Sequence, residues 1–233
     1  MVPAYAMQKA KFTLPDLLVA AIGLAAAAGG LRIAFALPMS VLLVSLGGFL
    51  VFALVLIWHQ GAQALTPADR VTLGRGVLVI LLVGLMPAAD WFVLEPGLLF
   101  ALALAAVLLD GVDGAVARRF RCATAKGARF DMELDAVLLL VLCIWLFLIE
   151  RAGPWVLAIG AWRYGFILAG QWRASLRSDL SPSQRRRIIC AIQGIGLVLC
   201  LAPSFPVAWV PALALTLLLL LSVSFILDMR ALW

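Results

Sequence analysis

Apolar residues fill this chain in eight stretches, near residues 16–36, 39–58, 71–89, 96–117, 132–149, 154–170, 188–203 and 207–227, separated by short polar segments. Most of these approach the roughly 20 residues that a helix needs to cross a bilayer, so the pattern predicts an all-α, polytopic integral membrane protein with about eight transmembrane helices. The 154–170 stretch is short and carries Arg163, and the first contains Gly29, Gly30 and Arg32, which leaves six or seven spans as alternatives.

Polar positions alternate in kind from one loop to the next. Lys9 and Lys11 precede the first helix, Arg70 follows the second, Arg118, Arg119, Arg121, Lys126 and Arg129 follow the fourth, and Arg173, Arg177, Arg185, Arg186 and Arg187 follow the sixth. The intervening loops offer only Arg151 against Asp90, Glu95 and Glu150. Positive residues thus track helix parity as the positive-inside rule requires, which predicts cytoplasmic termini and supports an even helix count. The first 14 residues are too short and too weakly apolar for a signal peptide, so the first apolar run is expected to be a retained helix.

Composition agrees with the pattern: 65% hydrophobic residues, 13% charged and a mean hydropathy of +1.12 describe a chain whose solvent is lipid. The net charge of +6 resides in arginines beside membrane helices, with no aromatic interleaving of the kind that stacks bases. Anionic lipid headgroups, and not nucleic acid, are the expected partners of that charge. Cys122, Cys143, Cys190 and Cys200 lack paired metal spacing, and His59 is the only histidine, so neither residue type suggests a zinc site.

Against this background four aspartates, Asp110, Asp113, Asp131 and Asp135, fall within 26 residues at the edges of apolar runs. An aspartate at the centre of a membrane helix costs about 2.5–3.5 kcal/mol on insertion scales, so the cluster calls for bound metal or well-placed basic groups. On a helix, Asp110, Asp113, Gly114, Ala117 and Arg118 share one face, and Gly127, Asp131 and Asp135, spaced by four, share another. Two carboxylates from each of two adjacent helices can converge, with Gly114 and Ala117 as a floor on which a ligand can approach the backbone. Hard oxygen donors without histidine or cysteine favour Mg²⁺ or Mn²⁺, and four acids suit two ions. A diphosphate bridging such ions would meet Arg118, and the chemistry implied is displacement at phosphorus. Taken alone, the acids fit equally well a structural ion-pair network or the cation path of a transporter or channel.

The full spacing is Asp110-x2-Asp113-Gly114-x2-Ala117-Arg118-x8-Gly127-x3-Asp131-x3-Asp135, and it resembles, at every position, the signature of the CDP-alcohol phosphatidyltransferase family. Upstream, Ala68 to Arg75 looks like the segment that opens the family's first core helix, with Asp69 where asparagine is usual and Ala68 where proline is usual. Thr66 or Asp69 acting only as a helix cap is the plainer alternative for that segment.

The resemblance implies a six-helix core over residues 66–233, preceded by a two-helix extension over residues 1–65. It implies that Asp110, Asp113, Asp131 and Asp135 hold two divalent ions, with Asp135 also the general base and Arg118 a catalytic phosphate-binding group. By the same analogy Asp69, Thr72, Gly114, Ala117, Arg118 and Gly127 contact the nucleotide. Arg75, Arg129 and Arg163 are candidates for an acceptor or lipid phosphate. The reaction implied is transfer of a phosphatidyl group from CDP-diacylglycerol to glycerol 3-phosphate, serine, inositol (phosphate) or choline, releasing CMP. Transfer from a soluble CDP-alcohol to a lipid acceptor is the mirror-image option. A bacterial inner membrane and a homodimer are expected on the same grounds. A cation transporter or channel would have no use for Gly114, Ala117 and Arg118, and an inactive scaffold would not need every signature position.

Overall fold

A computed structural model of the chain describes residues 14–60, 65–120, 124–172 and 184–231. Among them are eight helices of 16 residues or more and one of six, with no strand: α1 Leu14–Ala34, α2 Met39–Gln60, α3 Pro67–Leu85, the short α4 Ala89–Leu94, α5 Pro96–Phe120, α6 Ala125–Leu148, α7 Leu157–Trp172, α8 Gln184–Leu201 and α9 Val210–Ala231. Each long helix coincides with one of the eight apolar stretches, and the all-α polytopic expectation holds.

Five segments are long and apolar enough to cross a membrane by themselves: Pro15–Ala34, Met39–Trp58, Pro67–Leu94, Pro96–Val116 and Val207–Leu227. The apolar part of α8, Ile188–Leu201, is shorter. Helix α6 misses that standard because Asp131, Glu133 and Asp135 occupy its first half. The acids that make it chemically interesting are the reason that it reads poorly as a span. Leu18, Val19 and Ile22 on α1 and Leu50, Val51 and Leu54 on α2 remain exposed, which suits a surface that faces lipid.

Helix ends follow local chemistry. Prolines open α3 and α5, where a missing N–H costs nothing. Helix α6 ends in a Schellman turn, with Glu150 at φ 57°, Arg151 N–H donating to the Leu146 carbonyl and Glu150 N–H to that of Phe147. Ala36, at φ 51°, ends α1 in the same manner, its successor Leu37 donating to the Arg32 carbonyl. Both ends use the left-handed conformation that glycine usually supplies.

Contacts divide the chain into two compact units. The first runs to residue 88 and includes 108–134. In it α2 lies close on α3 through small residues: Gly84 faces the buried Ser45, and Gly76 faces the ring of Phe52, where an added Cβ would lie 2.9 Å from Cε2. Close backbone approach through glycine and serine is how helices associate in lipid, where burial of apolar area gives little drive. Phe52 also meets Phe130 of α6, with ring centroids 5.7 Å apart. An exposed ion pair, Arg70 to Asp16 at 3.3 Å, joins the start of α3 to that of α1.

The second unit comprises residues 89–107 and 135–233. Its core holds the fully buried Trp145, in edge contact with Phe92 at 5.1 Å. Arg151 donates to the carbonyls of Cys200 and Ala202, both at 2.9 Å, and so satisfies the end of α8. Buried Gln193 donates to the Leu217 carbonyl at 2.8 Å, joining α8 to α9. Gly160 of α7 rests on α6 with the Leu140 backbone against it.

Because a side chain at Gly160 must displace the Leu140 backbone and not merely a flexible tip, Gly160→Val is expected to destabilise the fold by about 1–3 kcal/mol. Gly74→Ala, where an added Cβ meets nothing within 4 Å, is expected to be neutral or to stabilise by up to about 1 kcal/mol. Thermal denaturation of the two variants in the same detergent checks both.

Candidate active site

The site is built where the start of α3 meets the end of α5 and the start of α6. Thr66 caps α3 in a reciprocal box: the Asp69 N–H donates to Thr66 Oγ1 at 3.2 Å, and the Thr66 N–H donates to Asp69 Oδ2 at 2.9 Å. The Thr66 hydroxyl adds a third bond to the same carboxylate oxygen at 2.8 Å. Asp69 is buried, and its other oxygen points at Gly127 of α6, where a Cβ would lie 2.6 Å from it. Gly127 in turn donates its N–H to Thr124 Oγ1 at 2.9 Å, which caps α6. Two helix starts are thereby keyed together by one aspartate and one glycine.

One turn and a half further along α3, Arg75 is completely buried. Its guanidinium donates through Nη1 to Asp110 of α5 and through Nη2 to Asp131 of α6, the latter at 2.5 Å, with a further contact to the Asp131 carbonyl at 3.3 Å. The two carboxylates are 42% and 35% exposed, so each is open on one side while Arg75 holds it from the other. Asp135 follows Asp131 by one turn on the same uninterrupted helix, and Asp110, Asp131 and Asp135 can each offer one oxygen with all three oxygens within 4.8 Å of one another. The donor set is all hard oxygen, which fits a small divalent cation of the Mg²⁺ or Mn²⁺ kind.

A family model for CDP-alcohol phosphatidyltransferases matches residues 65–226, and this span contains the whole acidic cluster and its support on α3. The chain belongs to the CDP-alcohol phosphatidyltransferase family. No curated protein and no solved structure matches the chain. Membership makes the protein a membrane-embedded transferase of phospholipid synthesis that moves a phosphatidyl group from a CDP-alcohol substrate to an alcohol acceptor. The family is generally dependent on divalent metal, and the clustered aspartates are groups that could hold it.

Of the residues singled out from sequence, the structure brings Arg75, Asp110, Asp131 and Asp135 into one cluster and sets Asp69 against Gly127. Thr72 is buried and donates to the Ala68 carbonyl at 3.2 Å. Gly114 is half-buried on α5 and Arg129 exposed on α6. Asp113, Ala117 and Arg118 belong to α5 and Arg163 to α7, but their side chains lie outside the described residues. Arg75, considered from sequence as an acceptor-phosphate candidate, has its guanidinium on two of the signature aspartates. Its signal in sequence was present, an arginine inside a span with acids elsewhere to neutralise it, but spacing along α3 could not say which acids it would meet. Thr66 and Thr124 were recoverable as caps from their positions before helix starts. A cavity of about 590 Å³ lined by Phe205, Trp209 and Thr216 in the second unit contains no titratable group and offers nothing to this chemistry.

Since a Cβ on Gly127 would press on the Asp69 carboxylate, Gly127→Ala is expected to cost about 1–2 kcal/mol through the α3 cap. In the Asp69→Ser background the same change is expected to cost much less. A double-mutant cycle by thermal denaturation measures the coupling.

Proposed function

We propose that this enzyme transfers the phosphatidyl group of CDP-diacylglycerol to a small polar alcohol, with glycerol 3-phosphate, serine, inositol (phosphate) and choline as the acceptor class, and releases CMP. The observation that carries the reading is the convergence of Asp110, Asp131 and Asp135 on one point of a lipid-adapted helix bundle, inside the span matched to the family. A donor with two acyl chains can keep them in lipid while its headgroup reaches acids at the ends of α5 and α6. Residues 66–233 form the catalytic domain and residues 1–65 an extension whose second helix braces α3 through Phe52 and Gly76. Positive-inside charge argues for both termini and the site on the cytoplasmic face, in a bacterial inner membrane, and family resemblance argues for a homodimer.

Asp110, Asp113, Asp131 and Asp135 would hold two Mg²⁺ or Mn²⁺ ions, which when bound neutralise diphosphate charge and polarise the reacting phosphorus. Asp69, Thr72, Gly114, Ala117 and Gly127 line the nucleotide side, where small residues let the ligand approach the backbone. The acceptor hydroxyl attacks the β-phosphorus, the bond from that phosphorus to the bridging oxygen breaks, and CMP departs. Asp135 accepts the hydroxyl proton, as a carboxylate within hydrogen-bond reach of the acceptor can. Arg118 holds phosphate oxygens as charge moves onto the leaving group, and Arg129 and Arg163 serve a phosphorylated acceptor.

Purified protein in mixed micelles with CDP-diacylglycerol and Mg²⁺ or Mn²⁺ is expected to release CMP only when one particular alcohol is supplied. Release with none of them, but with a CDP-linked polar alcohol and diacylglycerol, would reverse the roles of donor and acceptor. Asp110→Ala and Asp131→Ala are expected to abolish metal-dependent turnover. Asp135→Asn is expected to retain nucleotide binding while kcat falls by roughly 10²–10⁴, the usual worth of a general base. Full activity of Asp135→Asn would remove that residue from the role.

A further inference from the structure

We propose that Arg75 is the resident counter-ion of the acidic site, and that divalent ions bind there by exchange against its guanidinium and not by simple addition. The inference rests on the metal-binding reading above and concerns the competition between a buried cation and a bound ion for the same carboxylates. Arg75 has no exposed surface, and a guanidinium cannot give up its proton at any accessible pH, so a full positive charge is held inside the first unit. Burying it is tolerable only against opposite charge.

The acids it meets are Asp110 on α5 and Asp131 on α6, two of the three residues whose oxygens cluster closely enough for one cation. A purely structural arginine would serve as well on acids outside that cluster. This one reaches across from a third helix and bridges the two carboxylates with separate nitrogens, a span that the rigid guanidinium fork allows. Its two pairs do what bound ions would also do: they neutralise carboxylate charge, and they tie α5 to α6.

A divalent ion taking the same carboxylates would stand within a few ångströms of that guanidinium, where like charges in a poorly screened setting repel strongly. Binding must then weaken the Arg75 pairs, and Arg75 must weaken binding. The affinity of the site for metal is accordingly set as much by an arginine on α3 as by the aspartates that contact the ion.

The experiment is Mn²⁺ titration of the full-length protein in detergent, read by the spin-resonance signal of free Mn²⁺ and paired with thermal denaturation with and without the ion. Wild type, Arg75→Met and Arg75→Lys are compared. Arg75→Met is expected to melt several degrees lower than wild type without metal, to bind Mn²⁺ at least tenfold more tightly, and to recover most of the lost melting temperature at saturating Mn²⁺. Arg75→Lys keeps the charge but cannot bridge both acids, and is expected to fall between the two in affinity. Should Arg75→Met fail to fold, Arg75→Lys decides alone. Mn²⁺ affinity that is unchanged or weaker in the folded variants, with wild type still binding, overturns the exchange and leaves the metal site standing. Absence of Mn²⁺ binding by the wild type would overturn the metal site and the exchange together.

Discussion

Everything about this site depends on placing several carboxylates at the edge of a lipid-adapted bundle without leaving their charge uncompensated. Ionised groups in such surroundings persist only when paired, and the pairing found here is a buried guanidinium shared between two helices. Arg75 converts two acids that would push α5 and α6 apart into the point at which those helices are held. The clustered carboxylate oxygens that Arg75 leaves open are groups that could hold a small divalent cation.

That arrangement is demanding for α3, because a long side chain reaches two targets only if its own helix is held in place. The cap at Thr66 holds one end, where one carboxylate oxygen of Asp69 receives two hydrogen bonds and the other abuts Gly127. Along its length α3 is held by α2, through the Phe52 ring on Gly76 and Ser45 on Gly84. The residue beside Gly76 is Arg75, and the residue beside Phe130, whose ring Phe52 also meets, is Asp131. A helix that precedes the family match, α2, thus touches through Phe52 the immediate neighbours of Arg75 and Asp131.

The site also shows why a single polar residue can have both a bland and a chemical reading. Asp69 is the N3 residue of a capping box, which accounts for one of its oxygens, and it occupies the place in the family pattern where a nucleotide contact is expected. Its second oxygen faces Gly127, the second glycine of the signature. Capping fixes the orientation of a carboxylate that the chemistry can then use, so the two readings are compatible in one side chain.

Much of this was legible before any coordinates. Eight apolar stretches became eight long helices because lipid leaves the backbone no other way to satisfy its hydrogen bonds, and periodicity at i, i+3 and i+4 put the signature residues on helix faces. Family and reaction class were expected from the resemblance of eight residues at fixed intervals to a known signature, and such a spacing is a local property of the chain. Contacts between helices far apart in sequence were not legible. Nothing in the order of residues says that Arg75 bridges Asp110 and Asp131, 35 and 56 positions away, or that Phe52 fills the space left by Gly76. A helix's own hydrogen bonds are satisfied within a few residues and so are written locally, whereas the partner of a buried charge is chosen by how three helices pack, which only the tertiary structure decides.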